Sequence, residues 1–363
     1  MSHDWKRLAA AALTVLLAAL VVVHGAHALE PQAKIKAAFI YNGPIGDHGW
    51  IFAHEKGRRE LEKALPYVET AYTESVSAGD AERVMNQYLR RGYNVIFGCT
   101  FEYMDIMLKL AKRYPKAVFL HVAGFKVAPN MGTYWAKIYQ PSYLAGIVAG
   151  KMTKTNVIGY AAAFPIPLVL RIFNAFVLGV QSVNPNAKVH LVWTLNWFDP
   201  AKEREAGESL VDIGADVLAQ YFNSPAVQQA AQRRGKYSIG VYSDMSAFAP
   251  KAHLTAPVFN WGGFYKKVAE EVHKGTWKST QYWGGMNEGV VSLAPLGPMV
   301  PQAVRDLVER KKAGILSGKL DVFHGPIKDQ SGKVRVPAGK SMSEKDMLSM
   351  DFLVEGVVGK IPK

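Results

Sequence analysis

The sequence predicts an α/β fold built as two doubly wound parallel-sheet lobes, and three observations carry that prediction. The chain has 363 residues, enough for two lobes of ordinary size, each with its own core. From Lys34 onward, apolar strand-like runs alternate with segments whose apolar residues recur at helical spacing. The strand-like runs are apolar nearly throughout, the pattern of parallel strands covered on both faces by helices.

Before that repeat begins, residues 1–28 read as a secretory leader. Lys6 and Arg7 supply the charged start, Leu8 to Val23 the apolar run, and Ala26-His27-Ala28 the small-residue cleavage site. Cleavage before Leu29 gives an exported protein, and no cysteine follows the site to carry a lipid anchor. No other stretch is long and apolar enough to span a bilayer.

KIKAAFIY (34–41) is the first strand, and Trp50, Ala53, Gly57, Leu61 and Ala64 mark the helix after it. YVETAYTE (67–74) leads to a helix through Ala81, Val84, Met85, Tyr88 and Leu89. NVIFGC (94–99) leads to a helix near 103–114, and AVFLHVA (117–123) is the next strand. After a short strand at GTYWAKI and a helix at 143–152, the pattern starts again. Strands at 156–162, 188–194, 215–221 and 237–243 are separated by helices near 168–183, 201–213 and 226–234. Helices at 263–273 and 302–317 follow, joined by the strand-like GVVSLAP, and DQSGK (329–333) signals a terminal hairpin.

This order assigns lobe one to residues 29–125 plus about 260–285 and lobe two to 126–259 plus about 286–325. A hairpin and tail occupy 326–363. Crossings near 123–140, 250–260 and 283–300 would form a hinge.

The formal charge of +13 stays strongly basic after the leader takes Lys6, Arg7 and Asp4 away. Lysines and arginines are scattered through amphipathic segments instead of forming a stripe with aromatics between, so the charge reads as a solvated surface near anionic headgroups and nucleic acid is not expected. Cys99 is the only cysteine, inside an apolar run, and reads as a buried inert thiol. His48, His54, His121, His190 and His253 lack metal-ligand spacing, no nucleophile motif occurs, and neither a metal, a cofactor nor catalysis is expected.

In open α/β sheets, ligands bind beyond the carboxyl ends of the strands. The loops there read NGPIGDHGW (42–50), TFEYMD (100–105), AFPIPL (163–168), NWFDP (196–200), YSDMSAF (242–248) and FNWGGF (259–264). Trp50, Phe101, Tyr103, Phe164, Trp197, Phe198 and Trp261 would converge on a cleft, and rings at every strand end point to a flat ligand held by stacking. The first loop fails as a phosphate cradle: its glycines run G-x-x-G-x-x-G, and Asp47 puts negative charge where phosphate would sit. GIVAGKMT (146–153) likewise falls short of a P-loop. Asp47 and Asp244 each have two open readings, acceptor for a ligand N–H or helix cap, whereas Asp199 before Pro200 reads as a cap.

The runs AFPIPLVLRIFNAFVLG, NWFDPAKEREA, YSDMSAF, NWGGFYKKV and GPIKDQSGKVRVPAGK, together with an aspartate followed by an aromatic after strand one, resemble the basic membrane protein family of substrate-binding proteins for ABC transporters. The resemblance covers nearly all of the chain after the leader. It implies the type I periplasmic binding protein fold, a periplasmic location, and a purine base or nucleoside as the ligand. It also implies an inner-membrane ABC permease as partner, with the binding protein acting as a monomer.

By position, the resemblance gives Asp47 and Trp50 the aspartate and stacking ring of the first loop, Trp197 or Phe198 the opposite ring, and Asp244 a segment that touches sugar or base. Trp50 and His54 stand where nucleoside-binding members have a phenylalanine and an amide. YSD lacks an aspartate common in the family, and the stretch with Asn260 and Trp261 lacks the ribose-contacting lysine. Those departures favour a free base such as adenine. A sensor of the same fold docking on a receptor kinase and a nucleoside-processing enzyme are the alternative readings.

Overall fold

The computed structural model describes residues 30–362, so the leader read at 1–28 lies outside the described residues. The first sheet holds β1 (Ile35–Ile40), β2 (Val68–Thr73), β3 (Val95–Gly98), β4 (Val118–Val122) and β5 (Met131–Ala136). Between them lie α1 (Trp50–Ala64), α2 (Ala78–Arg90) and α3 (Met104–Arg113). β1, β3 and β4 carry almost only buried residues, because helices cover both faces.

The second lobe opens with α4 (Tyr139–Met152) and runs through β6 (Val157–Ala162), α5 (Pro167–Gln181), β7 (Lys188–Trp193), α6 (Pro200–Asp212), β8 (Val217–Tyr221), α7 (Ala226–Arg233), β9 (Tyr237–Ile239) and β10 (His253–Thr255). The chain then returns through β11 (Pro257–Phe259) and α8 (Trp261–His273) to β12 (Gln281–Gly284), and leaves again through β13 (Val291–Leu293) and α9 (Gln302–Leu316). The tail adds β14 (Ile327–Lys328), β15 (Val334–Val336), α10 (Glu344–Leu348) and β16 (Val357–Val358).

The strand orders are β12-β5-β4-β3-β1-β2 and β10-β9-β8-β6-β7-β16, every pair within them parallel. In both sheets the order reverses direction beside the first strand of the lobe, which creates the switch point where a crevice opens. The chain passes between the sheets after β5, through β11 and through β13. β11 and β13 pair antiparallel and tie the passages together.

One sequence expectation needs correction. The lobe boundary at 125 falls too early, because β5 pairs with both β4 and β12 and its residues, 131–136, therefore belong to the first sheet. In the tail, β14 and β15 pair as the hairpin, and β16 then returns to extend the second sheet beside β7.

Gly146, the first glycine of the near-miss P-loop run, has a packing role together with Gly179. Gly146 of α4 lies against the backbone of Phe176, and Gly179 of α5 against that of Tyr143, closer than any Cβ would permit. The two helices thus approach backbone to backbone within the second lobe. α4 is buried on nearly every side, in keeping with its uniformly apolar sequence.

Candidate functional site

The carboxyl ends of both sheets face one another, and the loops there are in contact. The loop from β1 to α1 reaches the second lobe at three points. Ser243 Oγ donates to the His48 carbonyl at 2.5 Å, the His48 ring lies 4.5 Å from that of Phe248, and Gly49 sits against the backbone of Asn223. A Cβ on Gly49 would lie 2.5 Å from Asn223 Cα and from its carbonyl oxygen, so glycine is what lets the two lobes meet there. This is the closed arrangement of a two-lobed cleft.

Within the seam stands a set of rings. Trp50, at the start of α1 and half-buried, is 5.5 Å from Trp135 of β5, 6.0 Å from Tyr242 and 5.4 Å from Phe259. Its indole Nε1 donates to the Cys99 carbonyl at 2.9 Å, which fixes the ring plane at the end of β3. Tyr242, from the second lobe, lies 5.0 Å from Tyr221 and stacks on Phe259 at 6.0 Å with 14° between planes. Phe259 in turn stacks on Trp261 at 5.0 Å and 12°. Tyr221 and Trp197 approach to 6.4 Å, and Trp197 and Phe164 to 5.3 Å, along the outer part of the second lobe's wall.

On lobe one, parallel register places Trp283 of β12 directly beside Trp135. Trp50, Trp135 and Trp283 therefore form one wall, and Tyr242, Tyr221 and Trp197 the other.

Backbone strain collects at the same end of the sheets. Of the described non-glycine residues with positive φ, His48, Ser75, Ala123, Leu195 and Tyr242 all follow strand carboxyl ends, and Asn156 alone does not. Each costs on the order of 1–3 kcal/mol, and such residues gather where a site must hold groups in place. Tyr242, with φ 69°, is buried against the rings it orients.

The structure divides the residues singled out from sequence. Trp50 lies in the seam, while Trp197 and Phe198 are exposed on its second-lobe rim, with Phe164 behind Trp197. Trp261 is fully buried and backs Phe259. Asn260 sits at the passage from β11 to α8, donating through Nδ2 to Ser292 Oγ at 2.9 Å. Phe101 is 52 % exposed and belongs to an outer rim with Phe125, 6.4 Å away.

Four of the expected residues serve the scaffold. Tyr103 is fully buried in lobe one, its hydroxyl donating to the Val76 carbonyl at 2.5 Å, because the turn Phe101–Tyr103 directs it inward instead of toward the cleft. His54 lies behind Trp50, stacked on Trp261 at 5.3 Å and bonded through Nδ1 to the Tyr265 hydroxyl. Burial pulls its imidazole down to about 3, so it is neutral.

Asp47 accepts from the backbone N–H of Gly49 (2.8 Å), Ile51 (3.0 Å) and Phe52 (2.9 Å), holding the first turn of α1. Burial raises its carboxyl, and those three donors oppose the rise. Asp244 is exposed and accepts from Ser246 N–H at 2.9 Å within its own turn without capping a helix, so of the two aspartates Asp47 alone holds a helix start. Asp199 caps α6, accepting from Lys202 N–H at 3.1 Å.

Trp135, Tyr221, Tyr242, Phe259 and Trp283 were not singled out from the sequence, although Tyr242 and Phe259 begin two of the loops quoted for their aromatics. Cys99 is buried, its sulfur 3.9 Å from the Tyr134 hydroxyl, and burial pushes the thiol well up, which makes it inert. Among the described residues, no three His, Cys, Asp or Glu side chains gather as a metal site would require.

The family model described as ABC transporter substrate-binding protein PnrA-like matches residues 34–322. The chain is 43 % identical to a purine-binding protein of Brucella abortus, across 93 % of this chain and 96 % of that one. It is 42 % identical to a putative ABC transporter glucose-binding protein of Haloferax volcanii, across 90 % and 81 %. Among solved structures, an ABC transporter solute-binding protein of Conexibacter woesei superposes with a TM-score of 0.69 at 21 % identity, covering 79 % of this chain and 98 % of that one.

Proposed function

Because the chain belongs to the family of PnrA-like ABC transporter substrate-binding proteins, with the type I periplasmic binding fold, we propose that it captures a purine, as the free base or a nucleoside, and delivers it to an inner-membrane permease. The observation that carries this reading is the pair of aromatic walls. Trp50 and Trp135 stand on one lobe and Tyr242 on the other, with Trp50 and Tyr242 6.0 Å apart. The Trp50 and Tyr242 planes stand at 69°, so a flat ring admitted between the lobes stacks face-on against one wall, worth ~1–3 kcal/mol for a base on an aromatic side chain, and meets the other edge-to-face.

The mechanism is a shift of population. An open protein offers the ligand one wall; closure adds the second wall and the Ser243–His48 bond, so ligand favours the closed state. The closed form is what the permease meets. The protein works in the periplasm as an unanchored monomer once the leader is removed, and it changes no bond in its ligand. Burial keeps the fully buried imidazoles of His54 and His121 neutral.

A sugar is the second reading, favoured by the Haloferax relative's printed ligand, since aromatic walls also stack on pyranose faces. Isothermal titration calorimetry against adenine, hypoxanthine, adenosine and glucose decides between them. Binding of a purine with one site per chain is expected. Heat from glucose alone would establish the sugar reading in its place.

A further inference from the structure

Arg171, one turn into α5, is 3 % exposed. It is a lone cation in the run LVLRIFN, and among the described residues no carboxylate lies within ion-pair distance of it. Its Nη1 donates to the Met347 carbonyl at 2.7 Å. Its Nε finds no acceptor, and neither does Nε1 of Trp283, whose ring centroid lies 5.3 Å from the guanidinium carbon.

Arg171 belongs to the second lobe and Trp283 to the first, so the two unanswered donors meet across the lobes, at the inner end of the wall formed by Trp50, Trp135 and Trp283. The hydroxyls of Tyr221 and Tyr139 are near enough to favour the charge, but burial outweighs them and draws the guanidinium down to about 10. A buried cation without a counter-charge is costly unless acceptors reach it, and a buried indole N–H carries a smaller penalty of the same kind.

With Nη1 occupied, the guanidinium offers its side edge, Nε–H and Nη2–H, as a fork of two parallel donors. The acceptor that fits such a fork is the O6/N7 edge of a 6-oxopurine, the pairing by which arginine reads guanine. Adenine presents N7 beside an amino group at the same edge, which would set donor against donor. We propose that Arg171, assisted by the Trp283 N–H, selects 6-oxopurines such as hypoxanthine, guanine and xanthine over adenine in the cleft. This rests on the reading of the ligand as a purine.

The test is competitive calorimetry on the full mature chain, with hypoxanthine and adenine as probes, for the wild type, Arg171→Met and Trp283→Phe. The wild type should bind hypoxanthine about 10- to 100-fold more tightly than adenine. Arg171→Met should remove most of that ratio, weakening hypoxanthine binding while relieving the donor–donor clash with adenine, and Trp283→Phe, which keeps the ring and loses only the donor, should reduce the ratio in part. A wild type that prefers adenine overturns the inference and leaves the purine reading standing. So does an Arg171→Met protein that melts earlier yet keeps the ratio, since Arg171 would then only clamp the tail through Met347. Binding of glucose and of no purine overturns the purine reading itself. If Arg171→Met does not fold, the wild-type ratio and Trp283→Phe decide.

Discussion

Replacing Gly49 with alanine separates closure of the lobes from folding of either one. The new Cβ would sit 2.5 Å from Asn223 Cα and its carbonyl oxygen, both backbone atoms on the other lobe, where ordinary contact begins at 3.4 Å. Closure must then stop about 1 Å short. The Ser243–His48 hydrogen bond, 2.5 Å when closed, is lost at a net ~1 kcal/mol. Trp50 draws back from Tyr242 and Phe259, and a gap of that size forfeits a quarter to a half of the dispersion between facing rings, about another 1–2 kcal/mol. Together these weaken ligand binding by ~30- to 150-fold. In the open protein the methyl group meets nothing across the seam, so ligand-free melting should hardly move. Calorimetry with the best-binding purine, paired with small-angle scattering of the ligand-saturated protein, measures both effects. Wild-type affinity and wild-type compaction in Gly49→Ala would refute the closure argument, as would a large loss of ligand-free stability.

Trp50→Ala should lower ligand affinity by ~5- to 150-fold through lost stacking while costing only about 2 kcal/mol of stability in urea, since the ring is half-buried; global unfolding would assign the ring to the core instead. His54 is held neutral, with its pKa lowered from 6.5 to about 3 by burial. Between those values the unfolded chain binds the extra proton, so stability should fall as pH drops from about 6.5 toward 3, at up to ~1.4 kcal/mol per pH unit. His54→Gln should flatten that slope in urea titrations at a series of pH values. Gly146→Ala should destabilise the second lobe by several kcal/mol, on the order of an overpacked core, because the added methyl meets the backbone of Phe176 rather than a side chain that can turn away. An unchanged melting temperature would contradict that backbone contact.

The alternation of strands and helices was readable because it is local. Apolar runs such as NVIFGC and helical spacing such as Ala81, Val84, Met85, Tyr88 and Leu89 both appear directly in the structure. Pairing between distant segments was not readable. β12 is only four residues long and lies far along the chain from β5, yet its register sets Trp283 beside Trp135 and so builds one wall of the cleft.

The site was legible in part for the same reason. Reading strand ends found Trp50 and Trp197, but Trp135 and Trp283 lie inside strands. Tyr103 looked like a loop residue until a tight turn directed it into the core. Arg171 had a visible signal, one charge in an otherwise apolar helix face, whose meaning depends on what lies across the lobes. Asp47 shows the opposite limit: its chemistry suited ligand or cap equally, and only the three backbone donors decide for the cap.

The central claim, that two aromatic walls close on a flat ring, is tested most directly by a crystal structure of the purine-saturated protein. A ring seated among Trp50, Trp135 and Tyr242, with the Ser243–His48 contact in place, is the expected result. A purine bound outside these walls, or bound within them while the lobes stand apart, would contradict it.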